Sequence, residues 1–326
     1  MTLGMQLSHS FNMLVTPYIH KNKSIYETKL FDKLIDSFSS LCGYEVARIH
    51  GNKYQVTYPD ALGWFAQPRR CELGDICIIA YSKRKKKARL VVVQNKVART
   101  TFNVLSTDGC QINANLVQYE LLKTRPRFEY TCGKLRGTMS NLIRTERYPS
   151  VCVYGNFYMN AKGEADMAAI TANQFQFKHP PIPFPCYGKH PAATIIYSGP
   201  FENLATRNGS GDFYAADNIT DFGDLLEDLY IGKPIGKKEK DHIEKELEDA
   251  FNAGVARASN NFYTALQNFQ MISLDDSDDI SLNDEFDFDG DYPMQEQYNP
   301  LHFCRTLLLL NVDYEADYEN CLDLPM

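Results

Sequence analysis

Nothing in this sequence is built to cross a membrane. No apolar run approaches the roughly 20 residues that a spanning helix needs, and Leu307 to Leu310 is far too short. The opening MTLGMQLSHSFNMLV has no basic leader and interrupts its apolar residues with polar ones, unlike a secretory signal. The nine cysteines form no CxxC pairs and have no histidine at zinc spacing, so they read as reduced, mostly buried thiols. Gly209-Ser210-Gly211 is not followed by GK[ST], which excludes a phosphate loop there. Internal repeats are missing too. These absences point to a soluble protein of the cytoplasm with no membrane partner.

What is present is enough apolar material for a substantial core: 44% hydrophobic residues, including 20 Tyr and 19 Phe, in 326 residues. Charge is unevenly spread. From Ser273 to the end there are fifteen Asp or Glu against the single Arg305, a local balance of −14. The whole chain carries −7, so residues 1–272 carry +7. Two basic clusters stand out, Lys83-Arg84-Lys85-Lys86-Lys87 with Arg89, and Lys123, Arg125, Arg127, Lys134, Arg136, Arg144 and Arg147. Such clusters are the electrostatic footprint of phosphate binding, although the first could also serve only to solubilise a turn.

The stretch from Cys71 to Lys96 carries the chemistry. Ile76–Tyr81 and Leu90–Val93 are apolar, β-branched runs on either side of a basic segment, the pattern of a β-hairpin. Folded about the middle of the basic run, the hairpin brings Asp75 opposite Lys96. Gln94 and Lys96 then share a face, because side chains alternate along a strand. An acid, an amide and an amine are expected at one end of a sheet.

The surroundings are ordered. Ser24-Ile25-Tyr26-Glu27 has capping-box form, and Leu30, Phe31, Leu34, Ile35 and Phe38 follow at helical spacing until Gly43. Extended segments are expected at Tyr44–Ile49 and Lys53–Tyr58. A second helix is expected over Asn113–Lys123, stopped by Pro126, and then a buried strand at Val151–Tyr154.

Asp75 followed by Gln94-Asn95-Lys96, within an α-β-β-β-α-β order, resembles the PD-(D/E)XK nuclease superfamily, with Gln where Glu is usual. That resemblance implies a restriction-endonuclease-like α/β fold, a mixed central sheet flanked by helices. It also implies an Mg²⁺- or Mn²⁺-dependent endonuclease, acting on DNA first and RNA as the alternative, of a kind that often serves in defence against foreign DNA. In this reading Asp75, Gln94 and the Asn95 carbonyl hold the metal, and Lys96 serves the attacking water. Glu27 matches the helix-borne carboxylate of the family, and it is equally the capping partner of Ser24. Asp60, in Pro59-Asp60, is the reserve for Asp75. Lys83, Arg84, Lys85, Lys86, Lys87 and Arg89 grip the nucleic acid backbone. The alternative is a non-catalytic relative that binds nucleic acid or protein.

Residues 1–178 are assigned to this nuclease-like core and residues 179–326 to a mainly helical extension. Glu164–Phe177 reads as a strand pair, His179–Pro185 as a rigid connector and Asp221–Tyr230 as a short helix. Ile243, Leu247, Phe251, Val255, Ala258, Phe262, Leu266 and Phe269 mark a long amphipathic helix from Glu239 to Met271. It packs on the body or pairs with a second subunit in a homodimer. Asp275–Asp291 is an acidic segment suited to docking a protein partner, and Leu301–Val312 a returning strand.

Overall fold

A computed structural model describes residues 1–19, 27–41, 44–49, 56–59, 70–97, 110–131, 137, 139–160, 162–179, 192–198, 215–237, 240–241, 243–244, 256–258, 267, 269–272, 274 and 304–313. Ser24, Gly43, Asp60, Gly209–Gly211 and Asp275–Asp291 lie outside them, as does most of His179–Pro185. The elements that matter are α1 (Leu3–Ile19), α2 (Glu27–Ser39), β1 (Tyr44–Ile49), β2 (Gly74–Ser82), β3 (Lys87–Val97), α3 (Leu116–Thr124), β4 (Cys152–Met159), β5 (Ala165–Thr171), α4 (Ile219–Glu227), β6 (Ala256–Ala258) and β7 (Cys304–Asn311).

The main sheet runs Ala215–Ala216, β5, β4, β3, β2, β7, β1, β6, with Lys233–Pro234 pairing alongside β3. β2 and β3 are an antiparallel hairpin, and β4 returns parallel to β3 after the connection that carries α3. β7 enters from the far end of the chain, parallel to β2 and antiparallel to β1. It therefore separates β1 from the hairpin. The fold is mixed α/β.

Every residue of β2 is buried, so the strand has apolar neighbours on both faces. Cys77, Ile79 and Tyr81 pack on the α3 side, while Ile76, Ile78 and Ala80 pack with α1, α2 and α4. In α2, Leu30, Leu34, Ile35 and Phe38 are fully buried, as their spacing requires. Each contributes about 1.5–3 kcal/mol relative to exposure.

Helix α1 is absent from the sequence expectations. Leu3, Leu7, Phe11 and Val15 recur at four-residue steps and are buried, but the polar residues between them and Pro17 just after conceal the stripe. It crosses α4 closely, since a Cβ on Gly4 would lie 1.8 Å from the Thr220 carbonyl oxygen and one on Gly223 2.5 Å from Gly4 Cα. Asp224 and Glu227 of α4 accept the Gly4 and Leu3 N–H groups at 3.1 and 2.8 Å, satisfying donors at the helix start that have no partner in their own helix.

Three other expectations change. Asn113 belongs to the strand Cys110–Asn115, and α3 begins only after Asn115, whose side chain caps it. Ala165–Thr171 and Gln176–Phe177 are both strands, but they pair with different partners rather than each other. The long helix Glu239–Met271 is broken, because Ala256–Ala258 forms β6 and bonds to β1. Among the described residues, the part after 179 is consequently not mainly helical; it supplies strands, including β7 at the centre of the sheet. Backbone pairing to an available strand outweighed the helical period of that segment.

Candidate active site at the end of the hairpin

The β2–β3 ladder sets Ile76 opposite Val93 and Ser82 opposite Lys87. One step further, Asp75 faces Gln94, two positions from the Lys96 expected. The turn explains the shift: it is centred between Arg84 and Lys85, with Lys86 at φ +50°, one residue earlier than the Lys85–Lys86 centre that would pair Asp75 with Lys96.

Asp75, Gln94 and Lys96 leave the sheet on the α3 face, beyond Cys77 and Val92. Asp75 Oδ2 accepts from Gln94 Nε2 at 2.6 Å and from the Asn95 backbone N–H at 2.8 Å. Gln94 Nε2 also points to the Asn95 carbonyl at 3.4 Å. Gln94 Oε1 accepts from Nε2 of Gln118 on α3, which donates in addition to the Glu72 carbonyl at 3.1 Å. Asn115 fixes the start of α3, accepting from the Val117 and Gln118 N–H groups at 2.9 and 3.4 Å, and so places Gln118 over the strand end. Asp75, Gln94 and Asn95 are 5%, 4% and 0% exposed.

Lys96 lies nearer solvent, its Nζ 3.3 Å from Glu27 Oε1 at the start of α2. The two residues are 69 positions apart in the chain. The parallel register places Tyr154 beside Gln94 and Asn156 beside Lys96 on the same face. The Tyr154 hydroxyl and Asn156 Oδ1 are buried without a hydrogen-bond partner, as are both polar atoms of the Asn95 side chain on the other face. Burial pushes the Tyr154 phenol well above its usual range, helped by Tyr119, Cys71, Cys152 and Asp75. Gly155 is required beside Asn95, because a Cβ there would sit 2.6 Å from Asn95 Oδ1.

No family model, curated protein or solved structure matches this chain.

Among the described residues no group of three or more His, Cys, Asp or Glu is placed to hold a metal ion. The donor set here is of another kind. Asp75 Oδ2 and the Asn95 carbonyl already converge on the Gln94 NH₂ group, which carries partial positive charge. Turning that amide over adds Oε1 as a third hard oxygen at the same place, a set that suits Mg²⁺ or Mn²⁺. In the observed orientation Gln94 offers hydrogen, not oxygen.

The basic turn is not part of this cluster. Lys83, Arg84, Lys85, Lys86 and Lys87 are exposed at the opposite end of the hairpin. Lys87 and Lys96 are nine residues apart on one strand, roughly 30 Å. Arg89 packs instead, donating to the Gly232 carbonyl at 2.6 Å with its guanidinium 5.4 Å from the Tyr148 ring. In the second cluster, Lys123 Nζ donates to Tyr119 Oη at 2.9 Å and Arg125 Nε to the Thr145 carbonyl at 3.0 Å. Burial lowers the pKa of both. Lys134 and Arg136 lie outside the described residues.

Five of the nine cysteines fall among the described residues. Cys71, Cys77, Cys110, Cys152 and Cys304 are free and buried. Burial pushes Cys110 and Cys152 up to about 12, which makes them poor nucleophiles. No helix among the described residues is long and apolar enough to cross a membrane.

Sequence reasoning missed Gln118, Tyr154 and Asn156. A signal existed for each: a glutamine within the apolar run LVQYELL, and polar residues two apart in the buried strand VCVYGNF.

Proposed function

We propose that this protein is a metal-dependent nuclease of restriction-endonuclease-like fold, acting on DNA. One observation carries the reading: Asp75 bonds to Gln94 at one end of the sheet, and two residues further along the same strand Lys96 pairs with Glu27 of α2. The element order α2-β1-β2-β3-α3-β4, with β4 parallel to β3, supports the fold assignment. The intrusion of β7 between β1 and β2 is a departure, and it sets Cys304 beside Gly74, next to Asp75. The +7 balance of residues 1–272 supports a polyanionic substrate.

Asp75, Gln94 and the Asn95 carbonyl are the residues to hold Mg²⁺ or Mn²⁺. When bound, such an ion supplies a site for the attacking water and offsets charge on the phosphate. Lys96 Nζ, at the solvent side of the cluster, orients that water and offsets charge at the phosphoryl oxygens. Glu27 holds Nζ in position. Burial of Asp75 and Gln94 keeps bulk water off their polar atoms and strengthens the interactions between them.

The second reading, a non-catalytic relative that binds nucleic acid or protein, is favoured by the Gln94 NH₂ facing Asp75. Incubating purified protein with supercoiled plasmid under Mg²⁺, Mn²⁺ and chelator separates the two. Metal-dependent nicking that Lys96→Ala reduces by about 10²- to 10⁴-fold is the expected result. Cleavage undiminished in that variant would move the chemistry elsewhere, and no cleavage with either metal favours the binding module.

A further inference from the structure

Two amides lie in series between Asp75 and the carbonyl of Glu72. Gln118 Nε2 donates to Glu72 O at 3.1 Å and to Gln94 Oε1, and Gln94 Nε2 donates to Asp75 Oδ2 at 2.6 Å. An ionised carboxylate and a backbone carbonyl can only accept, so an acceptor closes each end of the chain. The polarity follows from that. With its NH₂ directed to Glu72, Gln118 offers Gln94 a donor, and Gln94 must answer with its oxygen and turn its own NH₂ to Asp75.

We propose that Gln118 is a positioning residue that sets the divalent-cation affinity of the site by holding the Gln94 amide in its hydrogen-outward orientation; this rests on the nuclease reading above. A cation beside Asp75 needs the opposite end of that amide. Turning Gln94 alone would press its NH₂ against the NH₂ of Gln118. Gln118 must therefore turn as well and release the Glu72 carbonyl. Cation binding and the Gln118–Glu72 hydrogen bond are thus mutually exclusive, and the apo arrangement is held by that bond.

Gln118 is 7% exposed, so water does not readily replace what it loses. Removing its amide frees Gln94 to rotate without that loss. The change is about one hydrogen bond, so metal should bind roughly five- to tenfold more tightly. This is a gain from deleting a polar group, which a purely structural role does not produce.

The test is calorimetric titration of Mn²⁺ into the full chain, without substrate, for wild type, Gln118→Met, Gln94→Glu and the double variant. Gln118→Met preserves volume and adds no charge. It should tighten Mn²⁺ binding when residue 94 is Gln. In the Gln94→Glu background there is no amide to turn, and the Gln118 NH₂ already suits a carboxylate. There Gln118→Met should leave affinity equal or weaker. The reversal between backgrounds excludes a general loosening of the site. Should Gln118→Met not fold, Gln118→Leu carries the same expectation, because it too removes the amide without adding charge.

Mn²⁺ bound by the wild type with no tightening in the folded Gln118 variant overturns the proposal and leaves the nuclease reading standing. Tightening of the same size in both backgrounds also overturns it. No Mn²⁺ binding in any of the proteins overturns both.

Discussion

Both ends of the β2–β3 hairpin are closed by a carboxylate whose partners include a backbone N–H and a side-chain donor. At the turn, Asp313 accepts from the Arg84 N–H at 2.8 Å and from Ser82 Oγ at 2.5 Å. At the other end, Asp75 accepts from the Asn95 N–H at 2.8 Å and from Gln94 Nε2 at 2.6 Å. The two clasps resemble each other in the kind and length of these bonds and differ in what surrounds them. Around Asp313 the turn cations are exposed, so water competes for the Arg84 contact, while Ser82 is buried and its hydroxyl is already committed to the carboxylate. Around Asp75 the second donor is a buried amide with an oxygen on its other end. A hydroxyl bonded to a carboxylate has settled its role. An amide has two chemical faces, and rotating it changes a donor into an acceptor without moving the backbone. That is why the Asp75 end is read as a site and the Asp313 end as a turn.

The largest expected difference between the two ends is chemical. Asp75→Ala should abolish metal-dependent cleavage, because it removes the sole carboxylate of the proposed ligand set. It also strands the buried Asn95 N–H and Gln94 NH₂, costing about 1–3 kcal/mol of stability. Plasmid nicking and urea denaturation measure both. Cleavage that survives in a folded variant would make the Asp75 clasp structural, like its counterpart.

A smaller change should sharpen the same end. Gln94→Glu supplies a charged oxygen in place of an amide, and the metal concentration for half-maximal cleavage should fall by about tenfold or more, the size of one charge-assisted interaction. A metal requirement that rises in the variant would show that oxygen at position 94 does not reach the ion.

The turn should respond in binding, not in chemistry. Replacing Lys85, Lys86 and Lys87 by Glu should lower the slope of log affinity against log salt by up to about 0.9 for each phosphate no longer neutralised, with single-turnover cleavage of bound DNA unchanged. The roughly 30 Å between the ends permits this separation. An unchanged slope would mean that the lysines only keep the turn soluble.

Much of the hairpin was legible because its signals are local: β-branched runs, a basic break, and alternation that puts Gln94 and Lys96 on one face. Glu27 joined them through a helix whose stripe is plain. The register was off by two, since the turn is centred on Arg84 and Lys85, where Asp313, 231 positions from Ser82, accepts from the Ser82 hydroxyl and the Arg84 N–H. The same distance hid β7. Leu307–Leu310 reads as buried in any arrangement, and nothing local says that it inserts between β1 and β2. Gln118 was hidden for a related reason: its value comes from facing Gln94, a partner 24 positions away. The helical stripe across Ala256–Ala258 misled because periodicity records which residues are apolar, and pairing with β1 buries the same chain as a strand.

The smallest expected effect tests whether the turn clasp is only local. Asp313→Ala removes the acceptor of the Arg84 N–H and of the Ser82 hydroxyl. Ser82 Oγ still accepts from the Lys85 N–H at 2.8 Å, and water can reach the exposed turn. The loss should then be about 0.5–1.5 kcal/mol, read as a lower urea midpoint with an unchanged slope, and cleavage should match wild type. Asp313 also lies two residues beyond the end of β7, and the intervening Val312 donates to the Tyr81 carbonyl at 2.9 Å. If the clasp were what seats β7 between β1 and β2, its loss would release a central strand. The midpoint would then fall much further, the slope would change, and cleavage would fail with it. A loss confined to about 1 kcal/mol leaves β7 held by its own buried leucines and ladder bonds, and keeps the two ends of the hairpin independent.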